Sequence, residues 1–175
     1  MSAATVTAKA KTLIILRGLP GSGKSFLAKY LYDGIVGLKN SCIIHSTDNF
    51  HLELDPTNNK RMVYVFKPEK LRYFHEQNLK HAVTSMEMGV DCIIIDNTNT
   101  TWKEMEAYAR AGLSNGYSIV IEEANTAWKF DVDECTKKNT HNVPREAIAR
   151  MLQRWEETSL IRNKLKQLES KVSQG

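Results

Sequence analysis

No part of this chain is apolar enough to cross a bilayer as a helix. Its longest aliphatic runs, Leu13–Leu16 and Ile93–Ile95, fall far short of the roughly 20 residues that a spanning helix needs. The stretch Met1–Lys11 is small, polar and free of acids, and it lacks the apolar core of a secretory signal. It is read as a disordered leader over residues 1–11, ahead of one domain over residues 12–175. Cysteine is scarce. Cys42, Cys92 and Cys135 are an odd number without metal-ligand spacing, which argues for buried thiols in a reduced protein rather than a disulfide scaffold. The expected compartment is the cytoplasm, with the nucleus also open, and no membrane partner is expected. Neither sign of charge dominates: 24 Lys and Arg face 20 Asp and Glu, for a net charge of +4. Such a balance tolerates a polyanion such as nucleic acid without implying one. The five histidines are scattered and suggest no metal site. No repeat or linker divides the 175 residues, and no pattern speaks to oligomeric state.

What is present is a rhythm of short aliphatic runs, each followed by a helical pattern. Thr12–Arg17, Cys42–Ser46, Cys92–Asp96 and Tyr117–Glu122 lack strict polar alternation, as strands covered on both faces do. Pro68 can open a helix through Met88, stopped by Gly89. Thr101 and Glu104 have capping-box spacing before a helix that runs towards Asn115–Gly116. Pro144 can open the last long helix, with Ile148, Met151, Leu152 and Trp155 on one face. This alternation predicts an α/β fold with a mostly parallel sheet. Asn49–Lys67 and Ala124–Val143 fit neither pattern and are read as loops, the second holding a short basic helix that ends at Lys137–Lys138–Asn139. Both follow strand ends, where open parallel sheets bind ligands.

The decisive motif is Gly18-Leu19-Pro20-Gly21-Ser22-Gly23-Lys24-Ser25, a full Walker A pattern between an apolar strand and a helix. Glycines let successive backbone N–H groups turn inward around a phosphate, and the helix amino terminus adds partial positive charge. Gly18, Gly21, Ser22, Gly23, Lys24 and Ser25 are therefore the candidate contacts to ATP, with Lys24 on the β- and γ-phosphates and the Ser25 hydroxyl on Mg2+. Asp96 ends the third aliphatic run in the Walker B layout and is the second candidate for Mg2+. Asp48 ends the second run, where a carboxylate can accept the proton of an attacking hydroxyl. For both aspartates the competing role is a cap or turn carboxylate. His51, Arg61, Tyr64, Lys67, Arg72 and His75 could hold an anionic or base-bearing acceptor. Arg72 and His75 are three apart and so share a helix face. The competing role for each is structural. Lys137, Lys138 and Arg145 stand where a cation could close over a triphosphate, or merely complement a helix dipole.

Together these residues resemble the polynucleotide-kinase-like P-loop proteins, a group that includes phage-type polynucleotide 5′-hydroxyl kinases and the kinase-like domain of cyclic-nucleotide phosphodiesterases. The resemblance rests on Gly18–Ser25, on Ser46-Thr47-Asp48, on Asp96-Asn97-Thr98-Asn99 and on Val143-Pro144 before a helix. It implies a P-loop NTPase fold with a four-stranded parallel sheet flanked by helices, a lid after the fourth strand, and ATP with Mg2+ as donor. Asp48 matches the family's general base. It implies phosphoryl transfer to a hydroxyl, foremost the 5′-hydroxyl of a DNA or RNA end. A small-molecule kinase and a nucleotide-binding module with little catalysis are the alternatives. Two departures stand out. His51 occupies the place of an acceptor-binding arginine. Asn142 falls where those kinases carry a lid arginine, which leaves Lys138 as the candidate catalytic cation of the lid.

Overall fold

The computed structural model describes residues 10–38 and 41–174. Residues 1–9 of the expected leader lie outside the described residues, while Lys11 already belongs to the first strand. In chain order the elements are β1 (Lys11–Arg17), α1 (Lys24–Val36), β2 (Cys42–His45), β3 (Leu52–Asp55), β4 (Asn58–Tyr64), α2 (Leu71–Glu87), β5 (Cys92–Asp96), α3 (Trp102–Ser114), β6 (Tyr117–Glu123), α4 (Val132–Lys138), α5 (Arg145–Gln153) and α6 (Thr158–Gln174). Four strands form one parallel sheet in the order β2-β5-β1-β6.

The middles of β1 and β5 are apolar because both faces of the sheet are covered. Leu13, Ile15, Ile93 and Ile95 point to one face and pack with Ala82, Met86, Met105, Tyr108, Ile161 and Leu165 from α2, α3 and α6. Ile14, Leu16, Cys92 and Ile94 point to the other, under Ala28, Leu27, Leu31 and Ile35 of α1. This is the period-2 alternation of a strand, with apolar side chains on both sides. Cys92 and Cys135 are buried thiols, and burial pushes Cys135 up to about 11. No helix among the described residues is long and apolar enough to cross a membrane.

Three local expectations need correction. Asn49–Lys67 is not a loop: a 3-10 turn, Thr47–His51, leads into an antiparallel hairpin of β3 and β4. Its strands hide from pattern reading because Asn58–Arg61 is polar and exposed on both faces. The Asp55 carboxylate accepts hydrogen bonds from the Thr57 amide and hydroxyl and closes the turn. The capping box is shifted by one residue. Glu104 accepts from the Thr100 amide at 2.6 Å, while Thr101, the N-cap, makes no side-chain cap. The last long helix opens at Thr158, not at Pro144. Pro144 caps the shorter α5, and Trp155 joins Ile148, Met151 and Leu152 from the turn beyond it.

That break has a cause in Arg17. Its side chain is fully buried at the end of β1. It donates to the carbonyls of Asn99 (3.0 Å), Thr100 (3.0 Å) and Glu156 (2.7 Å) and to the Thr158 hydroxyl (2.5 Å). The guanidinium also lies 4.1 Å from the centre of the Trp155 ring. A continuous helix would tie up the Glu156 carbonyl, so the turn between α5 and α6 leaves it free to accept. Burial lowers the Arg17 pKa, and the charges of Glu123 and Glu156 oppose that shift. Replacing Arg17 by methionine should lower the unfolding free energy by about 2–4 kcal/mol, because the carbonyls left behind are buried without donors. Urea denaturation measures this, and a loss below about 0.5 kcal/mol would show that water satisfies the same groups.

Candidate active site at the carboxyl ends of the strands

The glycine-rich loop leaves β1 at the sheet's carboxyl edge. Gly21 and Gly23 take φ values of 78° and 93°, which a side chain would strain. Gly21 has a second reason to be bare: a Cβ there would stand 2.0 Å from the Cys135 carbonyl oxygen of α4. The segment after β6 is thus packed onto the loop. The Trp128 indole donates to the Gly21 carbonyl (3.1 Å) and the Thr126 hydroxyl to the Ser22 carbonyl (2.8 Å). Inside the loop the Ser22 hydroxyl is buried without a hydrogen-bond partner among the described residues. Lys24 is buried and donates to Asp96 Oδ1 at 2.5 Å. Ser25 follows, exposed on the first turn of α1, where backbone N–H groups have no partner within a helix. An orphaned hydroxyl, a lysine aimed inward and a strand-end carboxylate beside it fit a triphosphate and its Mg2+, with Ser25 and Asp96 as the candidate metal contacts.

Asp48 sits across from this loop in the 3-10 turn after β2. Asn97 fixes that turn: its Oδ1 accepts from the Thr47 amide at 3.0 Å, and its amide reaches the Tyr108 hydroxyl at 3.5 Å. Asp48 is held by two donors. The Tyr64 hydroxyl of β4 reaches Oδ1 at 3.3 Å, and His141 Nδ1, between α4 and α5, reaches Oδ2 at 3.3 Å. The Tyr64 and His141 rings stack with centres 4.0 Å apart and planes 8° apart. Burial works to raise the Asp48 carboxyl. The His141 hydrogen bond and charge, the charge of Lys24 and the Tyr64 hydroxyl outweigh it and hold the group below the ordinary carboxylate value. Burial and the charge of Asp48 push the Tyr64 phenol well up, so it stays a donor.

The structure brings Lys24, Asp96, Asp48 and the glycine loop to one edge but does not gather all the acceptor candidates there. His51 is only 1% exposed. Its ring is enclosed by Tyr64, Phe66 and Phe74, and Nδ1 accepts from the Lys67 amide at 3.2 Å. It anchors the hairpin and cannot reach an acceptor phosphate. Arg72 projects into solvent and pairs with Glu76 at 3.1 Å. His75 Nδ1 lies 3.2 Å from the Thr47 hydroxyl, and loss of water around the ring lowers its pKa, which favours a neutral imidazole over a phosphate-binding cation. Lys138 ends α4 with Nζ 4.7 Å over the Trp128 ring and 3.8 Å from Glu134. Lys67 is paired with Glu53, and Arg61 is exposed on β4. Sequence reasoning missed His141. Its only signal was a titratable residue within the segment expected to form a lid.

A family model described as AAA domain (AAA_33) matches residues 13–158. The chain belongs to this AAA-domain family of P-loop proteins. Its relatives bear out the polynucleotide-kinase-like resemblance. It is 38% identical to human NEDD4-binding protein 2 over 144 residues, which is 82% of the chain but 8% of that protein. It is 28% identical to the 2′,3′-cyclic-nucleotide 3′-phosphodiesterase of Pongo abelii over 129 residues, 74% of the chain and 28% of that protein. Among solved structures, a chain of the Pnkp1/Rnl/Hen1 RNA repair complex superposes over 93% of this chain and 49% of its own, with a TM-score of 0.58 at 17% identity. A gluconokinase from Sinorhizobium meliloti covers 86% of this chain and 78% of its own, with a TM-score of 0.51 at 13% identity. The AAA-domain chain thus spans a small part of its curated relatives, and its structural neighbours share the P-loop kinase-like fold.

Proposed function

We propose that this domain transfers the γ-phosphoryl group of ATP to a hydroxyl, foremost the 5′-hydroxyl of a DNA or RNA end. The observation that carries the proposal is Asp48: an ionised carboxylate, fixed by two donors and within the field of Lys24, facing the phosphate loop. A switch that only binds nucleotide has no use for such a base. In the transfer the acceptor O–H bond breaks and its proton goes to Asp48. The new O–P bond forms as the bond from the γ-phosphorus to the bridging oxygen breaks, and ADP leaves. Lys24 exchanges Asp96 for the phosphates, while the Ser22 hydroxyl and the loop amides hold their oxygens. Ser25 and Asp96 would hold Mg2+, which supplies charge neutralisation when bound.

With His51 buried and Arg72 in solvent paired to Glu76, the acceptor grip rests on stacking rather than on a built phosphate site. Phe66, which follows β4, and Tyr73 of α2 are each 55% exposed and can take bases, and Arg61 of β4 is an exposed cation for the backbone. A terminal base needs few phosphate contacts, which suits the modest net charge. The RNA repair setting of one structural neighbour also favours a nucleic-acid end. The unassembled phosphate site keeps a small-molecule kinase as the second reading. Labelled γ-phosphate from ATP should appear on a 5′-hydroxyl trinucleotide about as readily as on a long oligomer, with a shallow salt dependence. Transfer to hydroxylic metabolites but to neither oligomer would assign the small-molecule reading instead.

A further inference from the structure

We infer that His141 is the positioning residue through which the segment after β6 engages the catalytic base. The inference rests on the kinase reading for its consequence, but its geometry stands independently. A carboxylate on a free χ2 torsion swings broadly. Asp48 does not have that freedom, because each of its oxygens meets a donor from a different element: Tyr64 from β4 and His141 from the lid turn. An ionised carboxylate only accepts, so Nδ1 of His141 carries the hydrogen. Each carboxylate oxygen keeps a further acceptor site, and one of these is open to an incoming hydroxyl. The near-parallel stack of His141 on Tyr64 joins the two donors into one platform.

The local fold is built to present this ring. Asn139 caps α4 and closes the turn with its side chain, accepting from the Val143 amide at 2.7 Å and donating to the carbonyls of Thr136 and Val143. Asn142 takes a left-handed φ of 54°, which asparagine tolerates better than arginine. The position matched to the lid arginine therefore serves the turn, and its neighbour His141 reaches the site. Since α4 rests directly on Gly21 and His141 follows α4 onto Asp48, the phosphate loop, the lid and the base are in direct contact rather than joined by a distant hinge.

Two variants of the full chain separate the hydrogen bond from the ring stack. His141→Phe keeps a ring on Tyr64 and loses the donor, while His141→Asn keeps a donor at the Nδ1 position and loses the stack. His141→Phe should lower kcat by about tenfold to a hundredfold with the KM for ATP unchanged. The acid limb of its pH–rate profile should move to higher pH. The titratable groups acting on Asp48 are His141, Tyr64, Lys24 and His75, and only the first is altered. His141→Asn should recover most of the rate and return the limb towards wild type. Equal losses in both variants, or an unmoved acid limb, would overturn the assignment. A readout free of catalysis accompanies it: amide hydrogen exchange over residues 139–143 should quicken in Asp48→Ala, and unchanged exchange also overturns the inference. If wild type transfers phosphate to no acceptor, the kinase reading fails, and the exchange result alone decides the role of His141.

Discussion

Replacement of Lys24 by alanine should abolish measurable binding of a non-hydrolysable ATP analogue while the fold persists. The lysine opens α1 directly after the glycine loop, aimed at the strand-end carboxylate rather than at the core. Its charge-assisted bonds to phosphate oxygens are worth about 1.5–3 kcal/mol each, so losing two of them lowers affinity by about a hundredfold or more. Stability will not be untouched, because Asp96 then loses its buried partner. The double variant Lys24→Met with Asp96→Asn removes that orphaned charge. It should recover stability but not affinity. Calorimetric titration beside urea denaturation separates the two quantities. Unchanged affinity in Lys24→Ala would remove the basis for assigning this loop to a triphosphate.

Asp48→Asn should leave nucleotide and Mg2+ binding intact and lower turnover by roughly 10²–10⁴, the usual worth of a general base. The amide also sits badly between two donors: its NH2 must face either the Tyr64 hydroxyl or His141. The pH behaviour has a definite sign. The folded carboxyl titrates below its ordinary value of 3.8, so its contribution to stability is present above that pH and is lost as pH falls through the folded value. Wild type and Asp48→Asn should therefore differ more in thermal midpoint near pH 5 than near pH 3. Single-turnover rates at saturating ATP provide the decisive measurement. Near-normal turnover in the variant would transfer the base role to another group.

The parallel sheet and the phosphate loop were legible because their physics is local. Cys92–Asp96 reads as a strand from burial on both faces, and Gly18–Ser25 reads from the turn it must make. Asp96 was legible for the same reason, as the polar residue ending an apolar run. The hairpin was not, since Asn58–Arg61 buries nothing and leaves no alternation. His51 misled because an imidazole beside a candidate base looks like a ligand, and only folding brings Tyr64, Phe66 and Phe74 around it. His141 and Arg17 were hidden by distance along the chain. Nothing near position 141 shows that it will meet Asp48, and nothing near position 17 announces an appointment with Glu156 and Thr158.

The strand order carries a consequence for biosynthesis. β1 is made before every other described strand, yet it lies inside the sheet and pairs only with β5 and β6. Translation must run from position 17 to position 92 before the first of those partners begins to emerge. At about 5–20 residues per second, those 75 residues take roughly 4–15 s. Throughout that interval the aliphatic stretch Leu13–Leu16 has no sheet to enter, which is the condition that favours chaperone capture or association between nascent chains. A ribosome-bound chain stalled before β5 should crosslink to a holdase through this stretch, and one released past β6 should not.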